Sequence, residues 1–179
     1  ALSGQKALVV DCDLRRRSLQ AFLPEVPTIG LIQVLAGEAN WRDVVKEDEG
    51  SGAHILPSAA TNFTPADVFG SAAMGRFLEE AAAAYDLVIL DCAPVLAVAE
   101  TRIIARRADA TVMVAKWGRA PRKAVHAAIR QLQETGAHVM GVVLNGFDPR
   151  AGRYGYGYGS YGGGYYYYGK RGAKDYYND

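Results

Sequence analysis

The chain has 179 residues, about half of them hydrophobic, which suits one domain with a substantial core. A formal net charge of +1 gives no general argument for a nucleic-acid partner. No apolar run approaches the roughly 18 residues of a membrane-spanning helix, and no signal peptide is predicted. The two cysteines, Cys12 and Cys92, are interpreted as small buried residues of a reducing compartment, where a disulfide is not expected.

The first predicted element is a strand that ends in two carboxylates. The apolar residues 7–10 lead directly into Asp11 and Asp13, a pattern typical of a parallel strand that is buried on both faces. Residues two positions apart share one face of a strand, and open parallel sheets bind ligands beyond the carboxyl ends of their strands. Both carboxylates are therefore predicted to face one metal ion or one hydroxyl group.

Short elements follow in the next 70 residues. Thr28 is predicted to open a helix that ends at Gly37, and residues 54–58 read as a strand. Ser71 is predicted to cap a helix that runs to about Ala84 and carries an apolar stripe.

A second apolar strand, residues 87–90, ends in Asp91. Each aspartate alone is also consistent with a strand-end turn. Two buried strands that each bring a carboxylate to one sheet edge suit Mg²⁺, which takes one or two protein carboxylates and leaves its other positions to water and phosphates. Arg15 and Arg16, just after the first strand, are favoured as phosphate contacts, because guanidinium groups match phosphate oxygens. Arg17 is interpreted as a solvated turn residue.

The remaining elements continue the alternation of strand and helix. Residues 100–108 are predicted as a helix, 110–115 as a strand, 121–135 as a helix and 139–144 as the last strand, which ends at Asn145. This order predicts an α/β fold with a mostly parallel sheet and helices on both of its faces.

Three features together resemble the bacterial tyrosine kinases, the exopolysaccharide-associated autokinases. The sequence VVDCDLRR at residues 9–16 is similar to their Walker A′ motif, and LVILD at 87–91 is similar to their Walker B motif. The tyrosine-rich C-terminus resembles their autophosphorylation cluster. The chain departs from the family at Arg17, where proline is usual, and at Ala93, where the first of two prolines commonly stands.

A larger departure is the absence from this sequence of the G-x-x-x-x-G-K-[ST] loop that cradles phosphates in P-loop proteins. We interpret it as truncation of the chain, and a true pseudo-enzyme is the alternative. The missing loop would have supplied a lysine and a metal-binding Ser or Thr. Without it, the chain itself is expected to be inactive.

The resemblance implies a P-loop NTPase-like, doubly wound kinase core at residues 1–149 that uses ATP and Mg²⁺. It assigns Asp11 and Asp13 to Mg²⁺ and to the incoming tyrosine hydroxyl, with Asp11 as the base that takes the phenolic proton. It assigns Asp91 to Mg²⁺, directly or through water. In related P-loop ATPases an asparagine at the position of Asn145 contacts the nucleotide base, although a turn role suits this residue equally.

Residues 150–179 form a segment of different composition, which holds ten of the eleven tyrosines. It offers almost no aliphatic side chains to a core, so it is predicted to be disordered. Self-association and nucleic-acid stacking are possible roles for such a segment, but next to a nucleotide-hydrolase-type core an autophosphorylation tail is favoured. The predicted phosphoacceptors are Tyr154, Tyr156, Tyr158, Tyr161, Tyr165, Tyr166, Tyr167, Tyr168, Tyr176 and Tyr177.

The predicted function is therefore that of a protein-tyrosine autokinase domain that regulates exopolysaccharide or capsule synthesis and export. The family implies a ring-shaped homo-oligomer in which the tail of one subunit enters the site of the next. It also implies a membrane-bound polysaccharide co-polymerase as activator, fused or separate, and a cytoplasmic location at the inner face of the plasma membrane. The alternatives are a partitioning ATPase of the ParA/MinD kind and a non-catalytic scaffold whose tyrosines another kinase modifies.

Overall fold

A computed structural model describes residues 1–61 and 67–148 of the chain. The chain divides after Pro94 into two compact units, and each is described here by itself. The ten predicted phosphoacceptors of the tyrosine-rich segment lie outside the described residues, so their assignment stays a prediction.

The first unit is built around a four-stranded sheet. Its elements are β1 (Ala7–Asp11), α1 (Leu31–Leu35), α2 (Trp41–Val44), β2 (Lys46–Glu47), β3 (His54–Leu56), α3 (Ala72–Ala84) and β4 (Leu87–Asp91), with short 3-10 turns at Ser18–Phe22 and Val68–Gly70. The strand order is β2-β3-β1-β4, in which β1 runs parallel to both β3 and β4 and β2 runs antiparallel to β3. The expected mostly parallel arrangement is thus present in this sheet.

The position of each strand in the sheet decides its burial. Central β1 has neighbours on both sides, and Leu8 and Val10 are completely buried. β4 stands at one edge of this sheet, and Leu87 and Ile89 are 47% and 44% exposed. The prediction of a strand buried on both faces is therefore confirmed for β1 and wrong for β4.

Of the two helix starts predicted in the first unit, one is present in the structure and one is not. The Ser71 hydroxyl accepts a hydrogen bond from the Met74 amide, which confirms the predicted cap of α3. α1 begins at Leu31 rather than at Thr28. The prediction for Thr28 was wrong because the side chain of Gln33 reaches back to the Gly30 amide and caps the helix there, at 3.0 Å.

The second unit contains α4 (Glu100–Arg107), β5 (Thr111–Lys116), α5 (Arg122–Glu134) and β6 (Val139–Asn145) among its described residues. β5 and β6 pair in parallel, with Lys116 opposite Asn145. Ala105, Leu132 and Ala137 form a small core cluster that Val95 and Val139 pack against. The predicted bounds hold within two residues, and the strand–helix alternation confirms the α/β class.

Candidate active site at the carboxyl edge of the first sheet

The pairing of β1 with β4 brings two of the predicted carboxylates side by side. Asp11 lies opposite Asp91 in the parallel register, and the pairing continues past the strands, because the Cys12 amide donates to the Asp91 carbonyl at 2.8 Å. Both strands therefore end at the same level of the sheet, the edge at which parallel sheets bind ligands.

Asp13 organises the turn that leaves β1. Its Oδ1 atom accepts hydrogen bonds from the amides of Arg15 and Arg16, at 3.2 and 3.1 Å. A side chain that accepts from amides two and three residues ahead holds the backbone in a fixed turn. The exposed side chains of both arginines thus extend from an ordered segment next to the carboxylates.

Asp11 is fully buried and is held by two donors. Its Oδ1 atom accepts from the Asp13 amide at 3.2 Å, and its Oδ2 atom accepts from the Ser58 hydroxyl at 2.8 Å. Ser58 is also fully buried, and the Gln20 side chain donates to its carbonyl at 2.9 Å. These bonds link β1, the segment after β3 and the 3-10 turn at Ser18–Phe22 around one carboxylate.

Sequence reasoning missed Ser58. A serine shortly after an apolar strand is a common turn residue, and it gains a role only because β3 lies next to β1 in the sheet. Gly30 supports the same segment, since the Leu31 amide donates to the Pro57 carbonyl at 2.8 Å. A Cβ atom on Gly30 would lie 2.5 Å from the Ala59 nitrogen, so only glycine permits this close approach.

Burial and neighbouring negative charge raise the pKa values of Asp11 and Asp91. Burial raises the pKa of Asp11, hydrogen bonds from Ser58 and Asp13 lower it, and the charge of Asp91 raises it, with a net increase. Burial and then the charge of Asp13 raise the pKa of Asp91. Like charges close together in a poorly solvated place disfavour ionisation, and a bound cation would relieve this cost.

The donor set fits a magnesium ion that a nucleotide completes. Within residues 1–61 and 67–148, no three His, Cys, Asp or Glu side chains are grouped so that they could hold a metal by themselves. Mg²⁺ needs only one or two protein carboxylates when phosphates and water fill its other positions. The half-buried Asp91 is the most accessible of the three predicted ligands, and Asp11 is the least accessible.

Arg17 explains one departure from the family pattern. Its φ of 49° lies in the left-handed region, and its amide donates to the Asp13 carbonyl at 2.9 Å. Proline has a fixed φ near −65° and no amide hydrogen, so it could not occupy this turn as it stands here. This turn therefore requires a residue that has an amide hydrogen and tolerates a positive φ.

Asn145 ends β6 in the second unit and is exposed. The carboxylates belong to the first unit and each unit is described by itself, so the nucleotide contact of Asn145 stays a prediction.

The opposite edge of the first sheet carries an open cleft of about 650 Å³, lined in part by Lys6, Trp41, His54 and Tyr85. The Tyr85 hydroxyl and the His54 Nδ1 atom are 2.7 Å apart, and the Tyr85 ring contacts Trp41 with 6.1 Å between centroids. This aromatic cluster lies where the strands begin, away from the carboxyl edge. His54 is therefore held within this cluster by its contacts with Tyr85.

Comparison with known proteins defines the class of the fold. Residues 1–137 match the family model described as an AAA domain. The kinase domain of Escherichia coli tyrosine kinase ETK superposes with a TM-score of 0.80 at 29% identity, covering 91% of this chain and 62% of that chain. The fold is therefore that of the P-loop NTPase-like kinase domains, as predicted.

Two curated relatives extend the likeness. EpsB of Ralstonia nicotianae is 34% identical over 163 residues, covering 90% of this chain and 22% of EpsB. The succinoglycan biosynthesis transport protein ExoP of Rhizobium meliloti is 31% identical over 151 residues, covering 83% of this chain and 19% of ExoP. The chain belongs to the bacterial tyrosine kinase family, within the AAA-domain class, and it spans about a fifth of the length of these two relatives.

Within the described residues, no helix combines the length and the apolar character needed to cross a bilayer.

Proposed function

We propose that this chain is the core of a protein-tyrosine autokinase that transfers the γ-phosphoryl group of MgATP to tyrosines of its own C-terminal cluster. The observation that carries the proposal is the register of β1 and β4, which sets Asp11 beside Asp91 at the carboxyl edge in a member of a tyrosine kinase family. Phosphoryl transfer depends mainly on positioning and charge stabilisation, which converging carboxylates and arginines can provide.

The three carboxylates have different parts in this proposal. Asp13 and Asp91 would hold Mg²⁺, directly or through water. MgATP would supply the phosphoryl group, together with the cation that offsets the negative charge of the phosphates. Asp11 accepts the proton of the tyrosine hydroxyl. Its pKa is raised by burial, which makes it a stronger proton acceptor, and the Ser58 hydroxyl fixes its orientation.

The remaining contacts involve the nucleotide. Arg15 and Arg16 balance the phosphate charge from the turn that Asp13 holds. Asn145 contacts the nucleotide base. The lysine of a phosphate-binding loop would have to come from outside the 179 residues, because this sequence has no such loop.

The biological setting follows from the relatives. We propose that the autokinase regulates exopolysaccharide synthesis and export, which the likeness to the succinoglycan biosynthesis transport protein ExoP supports. In this proposal it forms a homo-oligomeric ring in which each tail is phosphorylated by the neighbouring subunit. It works with a membrane-bound polysaccharide co-polymerase, fused or separate, at the cytoplasmic face of the plasma membrane.

The test compares this chain with a form extended upstream to include a phosphate-binding loop. The 179-residue chain should bind MgATP weakly at best and form no phosphotyrosine, whereas the extended form should label itself. In the extended form, Asp91→Asn should reduce labelling by orders of magnitude, and Asp86→Asn, just before the start of the same strand, should not. Wild-type labelling of Asp91→Asn would refute the proposed metal site.

A second comparison identifies the acceptors. An extended form that ends at Arg150 lacks every tail tyrosine and should lose nearly all labelling while it still hydrolyses ATP. Tyr85 would remain, engaged by His54 at the opposite edge of the sheet. Strong labelling of the shortened form would show that the tail is not the main substrate.

A further inference from the structure

The two cysteines of the chain face each other at the carboxyl edge of the sheet. Cys12 follows Asp11 and Cys92 follows Asp91, two residues that are paired in the sheet. The Cys12 amide donates a hydrogen bond to the Asp91 carbonyl. Both cysteines are free thiols, and they are close enough to interact, since Cys92 is the largest cause that raises the pKa of Cys12. Neighbouring strands are about 4.8 Å apart, and disulfides span Cα–Cα distances of about 4.4–6.8 Å, so the spacing of the two strands is compatible with a disulfide between these residues.

The two thiols differ in their access to solvent. Cys12 is only 3% exposed and lies between two aspartates. Cys92 is half-buried, so a small molecule from solvent meets it first. This asymmetry gives the pair an accessible thiol and a protected partner directly behind it.

We propose that Cys12 and Cys92 form a reversible intramolecular disulfide in response to hydroperoxides, and that this disulfide is a redox-sensitive modification of the carboxylate edge. Formation of the bond depends on the contact between the thiols and not on the proposed kinase activity. The effect on nucleotide chemistry, in contrast, rests on the proposed function.

The chemistry proceeds in two balanced steps. The Cys92 thiol loses its proton, and the thiolate attacks one peroxide oxygen, so that an S–O bond forms and the O–O bond breaks. The released hydroxide takes up a proton to give water, and Cys92 becomes a sulfenic acid. The Cys12 sulfur then attacks the Cys92 sulfur, the S–S bond forms, and the S–O oxygen leaves as water with the Cys12 proton. Two thiols are oxidised and one hydroperoxide is reduced, and a dithiol reductant reverses the bond by exchange.

The bond would act on the neighbouring carboxylates. It ties the residue between Asp11 and Asp13 to the residue after Asp91, and it brings the two sulfur atoms from contact to bonding distance. Because a metal site tolerates only small displacements of its ligands, we expect the oxidised protein to bind MgATP more weakly than the reduced protein.

The bond itself is tested on the 179-residue chain. The chain is treated with hydrogen peroxide, free thiols are alkylated, and the products are analysed by intact mass and by non-reducing peptide mapping. We expect a monomer that has lost two hydrogen atoms, a cross-linked peptide pair containing both cysteines, and full reversal by dithiothreitol. Cys92→Ser should give no cross-link, and Cys12→Ala should leave a sulfenic acid on Cys92 that dimedone traps.

Other products would overturn the proposal. Intermolecular dimers alone, sulfinic acid on Cys92 in the wild-type chain without a cross-link, or unreacted thiols where a free model thiol is consumed would each exclude the intramolecular disulfide. Chain unfolded in urea before oxidation serves as the control, and it should lose the preference for the intramolecular product.

The regulatory effect is tested in the extended form. Peroxide should abolish labelling of the wild-type protein, dithiothreitol should restore it, and Cys92→Ser should label equally with and without peroxide. A cross-linked protein that labels at the reduced rate would refute the effect on the carboxylate edge. A reduced protein that never labels would refute the proposed kinase, and mass analysis would still decide whether the disulfide forms.

Discussion

Replacing Ser58 by alanine tests the hydrogen-bond arrangement that holds Asp11. The substitution removes the hydroxyl that donates to Asp11 Oδ2 at 2.8 Å, in a place where both side chains are fully buried. Water cannot readily replace this donor, so the carboxylate loses a partner that it had in the folded state. The side chain loses only one oxygen atom, which makes any packing defect small.

The expected magnitude follows from the charge of the acceptor. A hydrogen bond to a charged group contributes about 1.5–3 kcal/mol, so Ser58→Ala should lower the free energy of unfolding by about that amount at pH 7. The Ser58 bond also lowers the pKa of Asp11, so its loss raises this pKa further. The folded-state pKa is then further above the unfolded value, and stability is lost as the pH rises through it. The difference between variant and wild type should therefore be smallest at acidic pH, where the carboxyl group is neutral in both states.

The assay is urea unfolding at several pH values. The fluorescence of buried Trp41 reports on the first unit if Trp117 is replaced by phenylalanine in all variants. Ser51→Ala is the matched control, because the Ser51 hydroxyl also donates to a carboxylate, Asp48, but does so in a surface turn. It should cost much less than Ser58→Ala. Equal effects of the two substitutions, or an unchanged Ser58→Ala variant, would refute the reasoning.

Substitutions at two further positions test the backbone around the site by the same unfolding measurement. Arg17→Pro should destabilise the chain by about 2–3 kcal/mol, because proline lacks the amide hydrogen and cannot adopt the positive φ. Arg17→Gly should leave the stability unchanged or raise it by at most about 1 kcal/mol, since glycine adopts a positive φ without strain. A proline variant as stable as the wild type would contradict this turn geometry. Gly30→Ala should lower the free energy of unfolding by about 1–3 kcal/mol, because the added Cβ atom meets the backbone at Ala59. Wild-type stability of this variant would contradict the close approach of the two backbone segments.

The sequence was sufficient for most features whose cause lies within a few residues of them. Apolar runs ending in aspartate predicted the strands that end at Asp11 and Asp91, and Ser71 marked the start of α3 correctly. The family resemblance rested on the same local motifs, and the comparisons confirm it. The prediction that helix α1 opens at Thr28 failed for a local reason also, because Gln33 supplied a competing cap.

The tertiary structure alone decided which of these segments meet. The Ser58–Asp11 bond joins residues 47 positions apart, and it exists because β3 and β4 flank β1 in the sheet. The same strand order sets Cys12 against Cys92 and leaves β4 at an edge of its sheet. Strand order and register depend on how the apolar faces of the whole unit pack together, and no single stretch of sequence contains that information.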